Sequence, residues 1–306
     1  MKAGRRKQFS DYMRGHWQYY AMLLLPIIYY AVFRYRPIAG LTVAFKDYNM
    51  FLGAAASKWV GLKNFKAVFA MSDFYRALKN TLVINVIGTI VCFPAPILLA
   101  LFLNEIQNER FKRITQNILY LPHFISWVII GGMAYQVFSS STGLMNAAIR
   151  ALTGSTIPFL TDAGWWLVTY FLISLWRSTG WGAIVYLSAI TGIDPAIYEA
   201  AKVDGASRFR TMFSITLPNI LGTIVIMLIL NIGSLMYIGF EQPLTLQNSA
   251  VMQNADVLST YVYRVGTQNA RYSIATAVGL FQSVINFILL LSANSISKKL
   301  TGNAIW

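Results

Sequence analysis

Four stretches of this chain, residues 81–103, 118–138, 218–240 and 272–297, each run for more than twenty residues without an Asp, Glu, Lys or Arg. A hydrocarbon layer about 30 Å thick takes about 20 apolar residues per helix, so each stretch is long enough to cross one. Two further segments fit less cleanly. Residues 17–33 are the shortest and end at Arg34, Arg36 and Pro37, and residues 165–190 are interrupted only by Arg177. The pattern predicts an all-α integral membrane protein with six transmembrane helices. Pro26, Pro94, Pro96 and Pro122 lie within or near the ends of these helices, where neighbouring helices can satisfy the carbonyls that proline frees.

Composition closes the soluble alternatives. The 306 residues are 56% hydrophobic and only 12% charged, and the mean hydropathy is +0.53. Soluble domains carry about 25% charged residues, so this chain lacks the polar groups to cover a water-facing surface. Its net charge is +14, which by itself suits nucleic acid or an anionic membrane. The positive charge sits between uncharged stretches, which selects the lipid bilayer and not nucleic acid. The single cysteine, Cys92, excludes an intrachain disulfide, and with only His16 and His123 beside it there is no structural zinc set.

An even number of spans puts both termini on one side. With that side cytoplasmic, the inner segments 1–16, 104–117, 191–217 and the C-terminus hold 5, 3, 3 and 2 Lys+Arg, against 1 and 2 in the outer loops after the third and fifth spans. The positive-inside rule favours this orientation. The first outer loop, 34–80, departs from it with 8. Trp59, Leu62, Phe65, Val68 and Phe69 recur there at helical spacing with Lys58, Lys63 and Lys66 between them, which predicts an amphipathic helix on the outer interface. The basic segment 2–14 followed by an apolar run resembles a signal peptide, but no small-x-small cleavage site follows, so a retained helix is expected. No internal repeat is present. The expected layout is a cytoplasmic tail at 1–16, one six-helix transmembrane domain at 17–297 and a cytoplasmic tail at 298–306.

The segment between the fourth and fifth spans, 191–218, is the most informative. Asp194 is a good N-cap, and Pro195 suits the first helical position. A short helix through Ala200 and Ala201 ends where Gly205 can turn left-handed, and Ser207 can cap a second helix towards Leu217, with Pro218 opening the next span. The product is a helix-turn-helix with small residues, Ala200, Ala201 and Ala206, on its surface. A plain connector between spans would explain the turn alone.

The spacing adds a resemblance. Glu199-Ala200-Ala201, three residues, Gly205, nine residues, Ile215, one residue and Leu217-Pro218 match the EAA motif of type I permease subunits of bacterial ABC importers. The stretch from Val60-Gly61-Leu62-Lys63-Asn64-Phe65 through Phe74, Ala77-Leu78 and Asn80-Thr81 is similar to the sugar-importing (maltose-type) branch. Residues 176–186, 260–266 and the Ala304-Ile305-Trp306 ending resemble its polysaccharide-permease group. The resemblance implies that the short helix of this cytoplasmic loop sits in a groove of a separate ATPase. Glu199 would pair with a basic residue there, Ala200 and Ala201 would make a flat contact, and Asp204, Gly205 and Ala206 would form the turn. It further implies a second permease subunit, homologous or identical and here expected to form a heterodimer, two ATP-binding subunits and an extracellular solute-binding protein. No G-x-x-x-x-G-K-[ST] loop is present, so the chain holds no cofactor of its own and ATP and Mg are expected in the partner ATPase.

No Asp or Glu lies inside the six spans, which argues against proton- or sodium-coupled transport. Arg177 must face protein or a water-filled cavity, either as a donor to sugar hydroxyls or a uronate, or in a structural pair with a backbone carbonyl or a partner chain. Asn231, Ser234, Tyr237 and Glu241 fall 3, 3 and 4 residues apart and are expected on one helical face, where they would line a path or join helices. By analogy with maltose-type permeases, Arg177, Trp181, Asn231, Ser234 and Tyr237 are candidate substrate-path residues. The expected function is import of an oligosaccharide or polysaccharide fragment across the bacterial cytoplasmic membrane. The alternatives are a type I permease for a non-sugar solute and, in another class, an intramembrane hydrolase. The hydrolase lacks a G-x-S-x-G elbow and an H-E-x-x-H motif, leaving only His123 beside Ser126.

Overall fold

The computed structural model describes residues 12, 15–302, 304 and 305. The expected N-terminal tail falls almost wholly outside the described residues, as does Trp306. The described elements are helices and one pair of two-residue strands. They form two compact units, Met1–Val68 with Val265–Leu280 and Phe69–Arg264 with Phe281–Trp306.

The first unit opens with α1, Trp17–Tyr30, in which no side chain is buried. A helix apolar on all sides is at home in lipid. Its 14 residues span about 21 Å, less than the hydrocarbon thickness. The chain goes on as a π turn, Ala31–Tyr35, and a 3-10 helix, Arg36–Phe45. Strand β1, Lys46–Asp47, then pairs antiparallel with β2, Lys58–Trp59. Asn64 ties this pair down by donating to the carbonyls of Ala44 and Lys46, each at 2.9 Å, and Ser273 donates to the Lys46 carbonyl at 2.7 Å. The expected amphipathic helix is thus shorter than its periodicity suggests. Trp59 lies in β2 with its ring stacked 5.5 Å from Phe45. Gly61, at φ +59°, turns the chain before a helix that covers only Lys63–Phe69.

The second unit carries α2 (Ser72–Asn104), α3 (Glu109–Tyr120), α4 (Trp127–Phe138), α5 (Ala163–Thr191), α6 (Pro195–Val203), α7 (Leu221–Ile232) and, from residue 281, the rest of α8 (Tyr272–Thr301). Its axis is α5. One end packs on α2, with Ile97, Ala100 and Leu101 against Ala183, Tyr186 and Ile190. The approach is close because Gly182 leaves room for the Pro96 ring. The other end buries Trp166, Tyr170 and Ile173 with Ile130, Ala134 and Leu246, and the Trp166 indole donates to the Leu246 carbonyl at 2.9 Å. Gly180 admits the Leu119 carbonyl of α3 against the α5 backbone.

The segment between α7 and α8 is pinned by an ion pair between a buried carboxylate and a half-buried arginine. Asp256, 0% exposed, accepts from Arg264 at 3.0 and 2.6 Å and from Thr260 at 2.9 Å. The bond to Asp256 raises the Arg264 pKa further above its ordinary range, so the guanidinium stays charged at any physiological pH. Asn80 of α2 donates to the Asp256 carbonyl at 2.9 Å, and Thr81 accepts from the Leu258 amide at 2.8 Å.

Among the described residues two helices, Ser72–Asn104 and Tyr272–Lys299, are long and apolar enough to cross a membrane unaided. Two bent pairs raise the number to four: Glu109–Phe124 with Trp127–Phe138, bent by 99°, and Arg208–Asn219 with Leu221–Ile232, bent by 62°. The expected six is not reached on this measure, for two different reasons. The first expected span is mostly the short α1. The fourth is the unbroken 29-residue α5, about 43 Å long, in which Arg177, together with the Trp, Tyr, Ser, Thr and Gly residues, lowers the hydropathy.

Candidate coupling loop and transport cavity

The loop between α5 and α7 forms as its sequence directs. The Asp194 carboxylate caps α6 by accepting from the Ala196 amide at 2.9 Å, and Pro195 takes the first helical position. The helix ends in paired reverse bonds, Ala206 N–H to the Ala201 carbonyl at 2.9 Å and Gly205 N–H to that of Lys202 at 3.2 Å. That is a Schellman ending, and Gly205 takes its left-handed position with φ +70°. After Ser207 the chain is helical again from Arg208 to Asn219, through a π turn at Met212–Thr216. Pro218 therefore sits in this second helix, and α7 begins beyond the bend at Ile220.

The surface of the loop divides the candidate residues. Glu199, Ala200, Asp204, Gly205 and Pro218 are exposed, and Ala206, Ile215 and Leu217 are half-buried. Ala201 is buried and so is withdrawn from the exposed face. The Tyr198 hydroxyl and the Thr216 hydroxyl, 3.2 Å apart, link the two helices of the loop. Two apolar side chains stand out beside the exposed set, Val203 and Phe209, 87% and 67% exposed.

The second site is a pair of adjoining cavities, of about 250 and 500 Å3, that share Gly88, Cys92, Asn231 and Ser234 in their walls. Asn231, Ser234 and Tyr237 line the smaller one, and Trp181 lines the larger with Asn231 and Ser234. They come together by a different geometry from the expected helical face. α7 ends at Ile232, where Gly233 packs so close to Leu290 that a Cβ would lie 2.6 Å from its Cδ1. Ser234 and Tyr237 follow in turns, held from α8 by Asn286, which accepts from the Met236 amide at 2.9 Å, and Gln282, which donates to the Met236 carbonyl at 2.8 Å. Glu241 lines neither cavity.

Arg177 lines neither cavity as well. Its Nη2 donates to the His123 carbonyl at 3.0 Å and its Nε to that of Ile125 at 3.3 Å, and the guanidinium lies 4.5 Å from the centre of the Trp127 ring. Of the two roles open to it, the structure shows the carbonyl pair.

Several wall residues escaped the sequence reading. Thr89 donates to the Asn231 side chain at 2.7 Å, and Asn85 donates to the Leu235 carbonyl at 2.6 Å. Polar residues four apart in an otherwise apolar span were the available signal. Gln242 donates to Ser174 at 2.6 Å. The His123 ring stacks on Trp181 with centroids 4.4 Å apart and planes 3° from parallel. Ser126 meanwhile caps α4 by accepting from the Ile129 amide, so His123 and Ser126 are each engaged elsewhere and form no nucleophile and base. Among the described residues no cluster of His, Cys, Asp or Glu could hold a metal.

Residues 92–302 match the family described as binding-protein-dependent transport system inner membrane component. This chain belongs to that family. The permease is 45% identical to protein LplB of Bacillus subtilis (strain 168) over 94% of this chain and 90% of that protein. It is 43% identical to YteP of the same organism, a polygalacturonan/rhamnogalacturonan transport system permease protein, over 94% and 89%. It also matches a chain in the crystal structure of a bacterial ABC transporter that imports the acidic polysaccharide alginate. The TM-score is 0.87 and the identity 39%, over 96% of this chain and 99% of that one. The same transporter is known in complex with an alginate pentasaccharide-bound periplasmic protein, with the same similarity to this chain. The permease is therefore a mostly helical membrane transport subunit and not an enzyme.

Proposed function

We propose that this permease imports an oligosaccharide or polysaccharide fragment, with the adjoining cavities as part of the path. The observation that carries this reading is the chemistry of the cavity walls. Asn85, Thr89, Ser174, Asn231, Ser234 and Gln242 offer amides and hydroxyls, Trp181 and His123 offer a stacked aromatic surface, and among the described residues no charged side chain lines either cavity. Sugar hydroxyls pair with the first set, and the apolar faces of pyranose rings pack on the second. The names of YteP and the alginate transporter point to the same substrate class.

In this reading the chain crosses the cytoplasmic membrane six times with both termini inside, α1 and α5 completing the count. Residues 17–297 act as one transport domain, and the loop 191–218 is cytoplasmic. Its exposed face, Glu199, Ala200, Asp204 and Gly205 flanked by Val203 and Phe209, docks on an ATPase subunit that binds ATP and Mg. Ala206, Ile215, Leu217 and Pro218 support that face, Ala201 lies buried behind it, and the Tyr198–Thr216 contact ties its helix to the next. A second permease subunit, in a heterodimer, and an extracellular solute-binding protein complete the importer.

The test is uptake by vesicles carrying the complete importer. Galacturonan, alginate and maltodextrin fragments are offered with and without ATP and binding protein, beside amino acids and phosphate. ATP- and binding-protein-dependent uptake of a saccharide, lost in Asn231→Leu, is expected. Uptake confined to a non-sugar solute would refute the substrate class.

A further inference from the structure

We infer that Arg177 is a positioning residue that fixes the break between α3 and α4 and thereby places the His123 ring in the wall of the larger cavity; this rests on the cavities being part of the transport path. The break is a 3-10 turn, Leu121–Phe124, opened by the buried Pro122. It leaves the carbonyls of His123 and Ile125 outside the helices on either side, because Ser126 is already the N-cap of α4. Carbonyls freed from helix bonding inside a membrane need a donor from the protein, and here a single guanidinium reaches both, at 3.0 and 3.3 Å. The planar fork suits two acceptors at once, and Trp127, the first residue of α4, stacks beneath it.

Arg177 and Trp181 lie one turn apart on α5 and hold the same residue by its two ends. Arg177 takes the His123 carbonyl, and Trp181 takes its ring. The imidazole Nδ1 has no hydrogen-bond partner, so contacts of its own side chain to α5 are left to stacking. Without the carbonyl anchor, little fixes the height at which His123 meets the cavity. Arg177 is therefore an intramembrane cation whose charge is committed to backbone dipoles and is not offered to the solute.

Cys92 is a native reporter, since it is the only cysteine of the chain and lines the same cavity as His123. The experiment uses the assembled importer in vesicles and a small charged methanethiosulfonate, with modification read on this subunit. In the wild type, modification of Cys92 is expected to block uptake. If Cys92 is modified and uptake continues, the path reading fails, whatever Arg177 does. In Arg177→Met, modification is expected to be faster by about tenfold, the scale set by losing charged hydrogen bonds to buried carbonyls. Assembly and ATP hydrolysis should stay intact, and Arg177→Lys should move the rate back towards wild type. An unchanged Cys92 rate in Arg177→Met overturns the inference while leaving the path reading standing. If that variant does not assemble, Arg177→Gln is read in its place, and loss of assembly in both neutral variants overturns positioning in favour of a purely architectural role.

Discussion

Gly205 gives the sharpest test of the loop, because its environment separates two causes that are usually confounded. Among the described residues no atom beyond the glycine and its two chain neighbours lies within 4 Å of the position a Cβ would take, yet φ is +70°. A substitution there meets strain but no clash. For an L-residue the left-handed conformation costs about 1–2 kcal/mol, with Asn among the residues that visit it most readily. A β-branched side chain is a genuine outlier in that region. One to two kcal/mol corresponds to about a 5- to 30-fold change in the population of the turn. The expected order of uptake per ATP hydrolysed is thus Gly, then Asn, then Ala, then Val at position 205. The variants would be compared in vesicles carrying the complete importer, with inserted protein quantified in the same samples. Insertion should be equal in all four, since the turn lies outside the apolar segments. Uptake by Gly205→Val equal to wild type would refute the docking role of the turn. Equal loss in Asn, Ala and Val would refute the backbone argument and point to a steric contact with the ATPase.

Asp256→Ala leaves Arg264 without its carboxylate; removing one member of a fully buried pair costs about 3–5 kcal/mol, and water reaching the half-buried guanidinium makes the cost here smaller. A fall in the thermal midpoint of the solubilised importer is expected, smaller for a double variant that also replaces Arg264 by Leu. An unchanged midpoint in Asp256→Ala would refute the pinning role of the pair. Gly180→Ala forces a methyl against the Leu119 carbonyl, and such overpacking costs about 1–3 kcal/mol; reduced yield of assembled importer would show it. Trp181→Leu removes a stack with His123, for which about 1 kcal/mol beyond area burial is typical. It should depress uptake several times more than it depresses assembly, and equal losses in both would assign Trp181 to packing alone.

The loop was readable residue by residue because its rules are local. An Asp that accepts from an amide two residues on, a Pro at the first helical position and a Gly at a left-handed ending each act within one turn. Ala201 shows the limit of that reading. Its sequence matches a flat outer contact, but the folded chain buries its side chain. The segment 34–80 shows another limit. Helical spacing of Trp59 with Leu62 and Phe65 continued through Gly61, whose backbone turns left-handed and hands Trp59 to a strand. The stripe from Asn231 to Tyr237 was assembled by turns instead of a helix. Its register was reset by the close approach of Gly233 to Leu290, 57 positions away along the chain and invisible to any window of local periodicity.

The sequence alone determined that this chain lives in a membrane, that its membrane segments hold no carboxylates, and that it carries a helix-turn-helix loop with its caps in place. These follow from solvent and from neighbours within a turn. Only the tertiary structure decided what the polar residues of the spans do. Thr89 meets Asn231 across 142 positions of chain, and Arg177 reaches back 54 to the carbonyl of His123. In an apolar medium each polar group must find a partner, and which partner it finds depends on how the helices pack.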